Sequence, residues 1–298
     1  MTSNMAAPVV VGTDGSEVAL QAVRAAAREA AERGCPLRIV HAFIWPLMRV
    51  PLGPAPGAPA DAGLRNQAWQ HVNEAVAEAH KVAPEVTVDG AVVPGAASAV
   101  LLAESSAAEL VVLGSRGLGG FAGLLLGSTA VQVSAHADCP VLVIRGEVPA
   151  SGPVVVGVDG SELSEQAVAF AFAEASRRDT ELIAVHAWLY PTPVGPGDIL
   201  PLVYDLDAFR EQEERVLAES VAGWSERYPE VTVRQRLVRG SPGGALVEQS
   251  RTAQLVVVGA RGRGALGGLL LGSVSHAVLH HAESPVAIVR KPRTVKGS

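Results

Sequence analysis

The sequence has little of what several classes of protein require. It has two cysteines, Cys35 and Cys139, too few for a disulfide-stabilised secreted scaffold, so reduced cytosolic thiols are expected. No apolar run approaches the roughly 18 residues of a membrane span, and the start, MTSNMAAPVVVG, lacks the basic segment of a secretory signal. The formal net charge is -6 and no long basic run occurs. We therefore expect a cytoplasmic protein without a membrane or nucleic-acid partner.

The residues that are abundant indicate two globular domains. The chain has 298 residues, and a domain commonly has about 100–200. Hydrophobic residues make up 48% of the chain and aromatic residues only 4%. Valine, alanine, leucine and glycine therefore dominate the core, which suits helices packed closely on a valine-rich parallel sheet.

Internal similarity divides the chain into two repeats. Asp14, His41, Gly114, Gly127 and Pro140 each have an identical residue 145 positions later, as in Asp14 and position 159. A constant offset at five anchors indicates a tandem duplication without net insertion between them. The boundary falls within 147–152, so we predict a first domain over residues 1–147 and a second over 153–293.

Hydrophobic periodicity predicts alternating strands and helices in each repeat. Ser16 or Asp14 can cap an alanine-rich helix from Glu17 to Arg33, which Gly34 ends. The stretch 45–59 is rich in proline and glycine, and we expect a lid or flexible excursion there. The other predicted elements of the first repeat are strands at 9–11, 37–42, 85–93, 109–113 and 140–145, and helices at 64–82, 97–107 and 128–135. The strands predicted for the second repeat are 154–158, 181–187, 231–238, 254–258 and 285–290.

This alternation predicts an α/β fold. Strand–helix–strand connections in one sheet produce parallel strands, with helices covering the sheet. We expect two tandem doubly wound domains of Rossmann-like type, each a five-stranded parallel sheet with helices on both faces.

A glycine-rich loop follows the predicted fourth strand of each repeat. The first reads LVVLGSRGLGGFAGLLLGS over 110–128, and the second reads LVVVGARGRGALGGLLLGS over 255–273. Glycines let backbone N–H groups approach an anion, and the N-terminus of the following helix favours negative charge. Arg116 and Arg261 add donors suited to phosphate oxygens. One such turn alone would indicate only a tight connection, but the recurrence of the complete pattern predicts phosphate binding.

Two commoner nucleotide motifs do not fit. The segment 262–267 matches the dinucleotide fingerprint, yet the strands that follow the two loops end in Arg145 and Arg290, where NAD binding expects an acidic residue. No GxxxxGK[ST] motif is present, so a Walker-type NTPase has no support. Neither class explains the repeated loop.

The histidines offer weak signals of chemistry. His276 and His280 are four residues apart on a predicted helix and could pair on a metal, but no HExxH-type glutamate lies between them, and we predict no metal site. His41 and His186 end apolar strands, so we expect them to be packed and hydrogen-bonded rather than catalytic. No Ser-His-Asp or paired-carboxylate arrangement recurs around the loops.

Taken together, the motifs resemble the universal stress protein family in its ATP-binding, tandem two-domain form. The resemblance rests on Gly-x2-Gly-x9-Gly-Ser, on Asp-Gly-Ser after the first strand and on His-Ala at the end of the second strand. It covers residues 9–145 and 154–290. It implies the universal stress protein fold and one ATP per domain, with room for Mg²⁺ or Mn²⁺ alongside the triphosphate.

The resemblance also implies which residues hold the nucleotide. In the family, motif glycines and the hydroxyls after them hold phosphates and ribose, the aspartate after strand one lies near the ribose, and backbone at the end of strand two meets adenine. The first site would comprise Gly12, Thr13, Asp14, Ala42, Gly114, Arg116, Gly117, Gly127, Ser128 and Thr129. The second would comprise Gly157, Val158, Asp159, Ala187, Gly259, Arg261, Gly262, Gly272, Ser273, Val274 and Ser275. Because hydroxyls differ between the two sets, the two sites could differ in affinity.

The function that follows is a stress-response regulator in the cytoplasm. The domains are expected to pair through their last strands, with a homodimer of whole chains and an unidentified protein partner as further expectations. The alternatives are a slow ATPase or nucleotidyl-transferring enzyme, and an interaction module with vestigial pockets. The loops offer arginines but no general base or activating lysine, which favours a regulator over an enzyme.

Overall fold

The structure is a computed structural model that describes residues 6–44, 62–117, 126–145, 149, 151–189, 206–263 and 271–290. The predicted excursion at 45–59 and half of the linker at 147–152, residues 147, 148 and 150, lie outside these ranges. The first repeat contains β1 (Val9–Gly12), α1 (Glu17–Arg33), β2 (Leu37–Phe43), α2 (Ala62–Val82), β3 (Val88–Pro94), α3 (Ala97–Ser105), β4 (Leu110–Gly114), α4 (Ser128–His136) and β5 (Val141–Ile144). The second contains β6 (Val154–Val158), α5 (Glu162–Arg177), β7 (Leu182–Trp188), α6 (Leu206–Arg227), β8 (Val233–Arg239), α7 (Pro242–Gln249), β9 (Leu255–Gly259), α8 (Ser273–His281) and β10 (Val286–Val289).

The chain forms two compact units. Unit 1 comprises Met1–Val148 together with Pro285–Ser298, and unit 2 comprises Pro149–Ser284. The units follow packing rather than the sequence repeat, because the last strand of the second repeat belongs to unit 1. The predicted boundaries at 1–147 and 153–293 therefore describe the two sequence repeats, whereas the two compact units are divided differently.

Each unit is built on a sheet of parallel strands. Unit 1 has the strand order β3-β2-β1-β4-β5, all parallel, followed by β10, which runs antiparallel to β5 with Val286 opposite Val143. Unit 2 has the order β9-β6-β7-β8, all parallel. The tandem α/β fold class predicted from the sequence is confirmed, as is the pairing of the two last strands.

The strand order creates a switch point in each sheet. The chain moves outward from β1 to β2 and β3 and then crosses back to β4, so helices before and after the crossing cover opposite faces. Consistent with this, α1 packs against α2, and α3 packs against α4. Open α/β sheets bind ligands outside the carboxyl ends of the strands at such a point. In these units it lies between β1 and β4, and between β6 and β9.

Local sequence signals explain the ends of α1. Ser16 is the N-cap, with its hydroxyl accepting the Ala19 N–H at 3.2 Å, and Gly34 ends the helix in the left-handed conformation at φ 62°. Of the two predicted caps, Ser16 is therefore the correct one. The predicted start of the third strand at residue 85 is wrong, because 84–86 form a turn closed by the Val86 N–H to the Ala83 carbonyl, and β3 starts at Val88.

The sheets form the core of each unit. Val9, Val10 and Val11 of β1 are fully buried, as are Val154, Val155 and Val156 of β6. Strands covered on both faces need such continuous apolar runs. Within the described ranges, no helix combines the length and hydropathy required to cross a bilayer.

Candidate functional site

Each unit has a cavity at the carboxyl ends of its central strands. The cavity of unit 1 has a volume of about 480 Å³ and opens beside β1, β2 and β4. The cavity of unit 2 has a volume of about 500 Å³ and opens beside β6, β7 and β9. Both volumes fall in the range of small-molecule sites, about 300–1,000 Å³. Both cavities lie at the switch points described above.

The structure brings every predicted site residue to one of these cavities. The first is lined by the predicted Gly12, Thr13, Asp14, Ala42, Gly114, Arg116, Gly117, Gly127, Ser128 and Thr129. The second is lined by the predicted Gly157, Val158, Asp159, Ala187, Gly259, Arg261, Gly262, Gly272, Ser273, Val274 and Ser275. Their contact with a nucleotide remains a prediction.

Sequence reasoning missed the apolar wall that α3 and α7 contribute. A Cβ on Gly12 would lie 3.1 Å from a methyl group of Leu101, and one on Gly157 would lie 2.8 Å from a methyl group of Leu246. These two leucines therefore pack directly over the ends of β1 and β6, and both line the cavities. Leu246 follows Leu101 by the same 145 positions as the anchors, so the repeat offset could have identified them.

The glycine loops are closed at their base by backbone hydrogen bonds. The Gly127 N–H donates to the Ser115 carbonyl at 2.8 Å, and the Gly272 N–H donates to the Ala260 carbonyl at 2.8 Å. Gly127 and Gly272 are also the N-caps of α4 and α8, and neither can supply a side-chain cap. The first-turn N–H groups therefore receive no acceptor from the cap residue. This arrangement favours an anion at the helix start.

An aspartate holds the second loop in place. One carboxylate oxygen of Asp159 accepts the Ser161 N–H at 3.0 Å and the Ser161 hydroxyl at 2.6 Å. Its other oxygen accepts the Arg263 N–H at 2.9 Å. Asp159 thereby links the start of α5 to the glycine loop, 104 residues away along the chain. In unit 1, Asp14 accepts the Ser16 N–H at 3.0 Å in the same way.

The second glycine of each loop faces this aspartate. A Cβ added to Gly117 would collide with Oδ2 of Asp14, and one added to Gly262 would collide with Oδ2 of Asp159. From the sequence, these glycines are expected because they allow a phosphate to approach the backbone closely. The structure adds a second reason, because only a residue without a side chain leaves room for the carboxylate.

The ends of β2 and β7 present polar backbone to the cavities. The Thr13 N–H donates to the Val40 carbonyl at 2.9 Å on the β1 side, and the Gly95 N–H donates to the Phe43 carbonyl at 2.8 Å on the β3 side. Since backbone groups alternate in direction along a strand, those of Ala42 project to the side on which β1 has ended. The Gly240 N–H donates to the Trp188 carbonyl at 3.0 Å on the β8 side. The backbone groups of Ala187 therefore project to the other side, where β6 has ended. Both alanines line their cavities.

The predicted hydroxyl at position 275 already has partners. Ser275 is 2% exposed, and its hydroxyl reaches the Gly259 carbonyl at 2.7 Å and the Ala260 carbonyl at 3.0 Å. A hydroxyl has one proton to donate, so that of Ser275 stabilises the end of β9. Thr129, the predicted hydroxyl of the first site, is half-buried.

The two strand-end histidines differ in their environments. His186 is hydrogen-bonded as expected, through Nδ1 to the Val158 carbonyl and through Nε2 to Glu213, both at 2.6 Å. The buried Nδ1 of His41 forms no hydrogen bond of ordinary geometry among the described residues, although the Thr13 backbone, which corresponds to Val158, favours the charged ring. The ring of His71 lies 5.4 Å from that of His41. Burial, and then the neighbouring His71, lower the pKa of His41.

His276 and His280 stack on α8 with ring centroids 4.2 Å apart. A metal site usually needs three or four protein ligands. Across the described part of the chain, no three His, Cys, Asp or Glu side chains converge in that way.

Comparisons with known proteins agree with this architecture. The family model described as Universal stress protein family matches residues 5–145 and 151–290. A universal stress protein of Mycobacterium tuberculosis H37Rv is 40% identical over 309 residues, which covers 98% of this chain and 99% of that protein. Another from the same strain is 42% identical over 303 residues, covering 95% and 97%. The crystal structure of a universal stress protein from Archaeoglobus fulgidus has a TM-score of 0.68 at 19% identity and covers 96% of each chain, a likeness in fold.

Proposed function

This chain belongs to the universal stress protein family, and from that premise we propose that it binds ATP, one molecule in each cavity, and acts as a nucleotide-dependent regulator of a stress response in the cytoplasm. The observation that carries the proposal is that both cavities assemble the same features from corresponding positions of the repeat. Each combines an uncapped helix start, an arginine, an aspartate, an apolar wall and a polar strand end.

The phosphates would lie at the start of α4 or α8. The N–H groups there have no side-chain cap, and the helix dipole favours negative charge. Arg116 and Arg261 are exposed beside these starts, and neither forms an ion pair with another described residue. An unpaired guanidinium at the mouth of a cavity supports the binding of a phosphate group.

The base would lie against the apolar wall. Leu101 and Leu246 supply the apolar surface, while Ala42 and Ala187 direct backbone donors and acceptors towards the same space. Adenine has flat apolar faces and a polar edge, which suits this combination. Mg²⁺ or Mn²⁺ would then be carried by the triphosphate and would neutralise part of its charge.

The ionisable residues favour binding over turnover. Among the described lining residues, the ionisable side chains are Asp14 and Arg116 in the first cavity and Asp159, Arg261 and Arg263 in the second. Arginine cannot act as a general base at neutral pH. The carboxylate of Asp159 accepts three hydrogen bonds that hold the loop and the start of α5. Its role is therefore to position the loop.

Calorimetric titration with Mg-ATP tests the proposal. We expect about two ATP molecules per chain. Ala42→Trp should fill the base end of the first cavity, and Ala187→Trp that of the second, so each variant should bind one ATP and the double variant none. Mass spectrometry of molecules released by denaturation gives an independent count. Absence of ATP binding to the unmodified chain would refute the proposal, and steady conversion of ATP to ADP would favour the enzyme alternative.

A further inference from the structure

The two cavities differ in charge. Among the described residues, the charged side chains that line the second cavity are Arg261, Arg263 and Asp159, a formal sum of +1. The described lining of the first has one of each sign, Arg116 and Asp14, a formal sum of 0. The position that corresponds to Arg263 is Leu118, since 263 minus 145 is 118. Among the described lining residues, the extra cation is therefore specific to the second repeat. Arg145, whose pKa is lowered by burial and by the charge of Arg116, does not line the first cavity.

Arg263 is held in a defined place beside the cavity. Its backbone N–H donates to Asp159 at 2.9 Å, which fixes the start of the side chain. Its guanidinium lies over Gly160, where an added Cβ would collide with Nη2. Gly160 has φ 69°, a left-handed conformation that favours glycine, so the space above it is available to the guanidinium.

The carboxylate of Asp159 is hydrogen-bonded to the backbone of Arg263 and not to its guanidinium. Arg263 is exposed, and no carboxylate among the described residues forms an ion pair with its guanidinium. Neither the guanidinium of Arg263 nor that of Arg261 is therefore held in an ion pair by a described carboxylate. Two such groups at one cavity attract a ligand more strongly as its negative charge increases.

We propose that Arg263 makes the second cavity more selective than the first for nucleotides that carry several phosphate charges, so that it prefers ATP over AMP by a larger factor. This inference rests on the proposed ATP binding. The two cavities then respond differently to a nucleotide pool. Both respond to the adenine nucleoside and to phosphate, and the second responds more strongly to the length of the phosphate chain.

The test measures ATP and AMP affinities for each cavity separately. Ala42→Trp leaves the second cavity open and Ala187→Trp leaves the first, and both are titrated calorimetrically in the same low-salt buffer. The ratio of AMP to ATP dissociation constants should be larger for the second cavity. Adding Arg263→Leu, which introduces the residue of the first repeat, should reduce that ratio about tenfold, the contribution of one charge-assisted contact. Arg263→Lys should retain most of the ratio.

Two features of the design separate the possible causes. The hydrogen bond to Asp159 uses the main chain of residue 263, so Arg263→Leu leaves that bond intact. Arg215→Leu removes an equal charge from an exposed position on α6 that does not line the cavity, and should leave the ratio unchanged. If Arg263→Leu weakens ATP and AMP equally, or leaves the ratio unchanged while ATP still binds, the inference is wrong and the proposed function stands. If the unmodified chain binds neither nucleotide, both are wrong.

Discussion

Replacing Gly262 with alanine should destabilise unit 2 through Asp159. The new Cβ would occupy the position of Oδ2 of Asp159, so the carboxylate must rotate away. That rotation breaks its bonds from Arg263 and Ser161, at 2.6 to 3.0 Å. A hydrogen bond to a charged group contributes about 1.5–3 kcal/mol to stability. Because these three bonds are partly exposed and share the Asp159 carboxylate as acceptor, we expect their loss to cost about 2.5 kcal/mol in total. Alanine reduces the conformational entropy of the unfolded chain relative to glycine, which stabilises the protein by about 0.5 kcal/mol. The free energy of unfolding should therefore fall by about 2 kcal/mol.

The assay is urea unfolding followed by tryptophan fluorescence in a background with Trp45 and Trp69 replaced by Phe, so that the signal comes from Trp188 and Trp224 of unit 2. Gly272→Ala is the matched control in the same loop, because its Cβ would lie 3.3 Å from the nearest atom, Cα of Arg261, and its φ of -73° suits alanine. We expect the control to cost less than about 0.5 kcal/mol.

A double-mutant cycle with Asp159→Ala tests the cause. Once the carboxylate is absent, Gly262→Ala should cost nothing or stabilise slightly, because the colliding atom is gone. An equal loss from Gly262→Ala in the presence and absence of Asp159 would refute the reasoning. A loss from Gly272→Ala as large as that from Gly262→Ala would also refute it, since it would show that any side chain disturbs the loop.

Three further predictions follow from groups outside the loops. Because the pKa of His41 is lowered by burial and by His71, the unfolded chain takes up a proton below its ordinary pKa of about 6.5 more readily than the folded chain. The urea midpoint should therefore fall as the pH drops below about 6.5, and His41→Gln should flatten this dependence; a profile unchanged by that variant would contradict the assignment. Burial raises the pKa of Cys139 to about 12, so a disulfide reagent at pH 8 should label this thiol in urea but scarcely in the folded protein, and equal rates by mass spectrometry would contradict the burial. Ser16→Ala removes the cap of α1 and should lower the unfolding free energy by about 1 kcal/mol, whereas Ser106→Ala, at an exposed helix end, should have a smaller effect in the same assay.

The sequence predicted best those elements whose ends depend on neighbouring residues. Helix α1 begins and ends where predicted, because Ser16 and Gly34 each form hydrogen bonds with backbone groups in the adjacent turn of the helix. The starts of β3 and β8 were placed too early, since Glu85 and Val231 continue the apolar alternation while the backbone is still turning. Alternation describes side chains and contains no information about which backbone groups are already paired.

The residues that line the two cavities could be grouped from the sequence because the same loop occurs twice, and their contact with a nucleotide stays a prediction. A single repeat would have left Gly114 and Asp14 as an ordinary turn and an ordinary helix start. The link from Asp159 to Arg263 could not be predicted, because it joins residues 104 apart and leaves no periodic signal. The hydrogen-bond partners of Ser275 could not be predicted either. A serine that binds phosphate and a serine that donates to the end of a strand can occupy the same place in a sequence motif.

The antiparallel pairing of β10 with β5 means that neither half of the duplication is complete by itself. The four residues of β5 are at most 4% exposed, and β10 is their partner on that edge. A fragment ending at residue 147 would present an apolar, unpaired strand to solvent, which is a template for association with another chain. A single repeat by itself would need a second copy to cover this strand. Because both repeats lie in one chain, the pairing of β5 with β10 does not depend on protein concentration. The two cavities are also produced in a fixed one-to-one ratio.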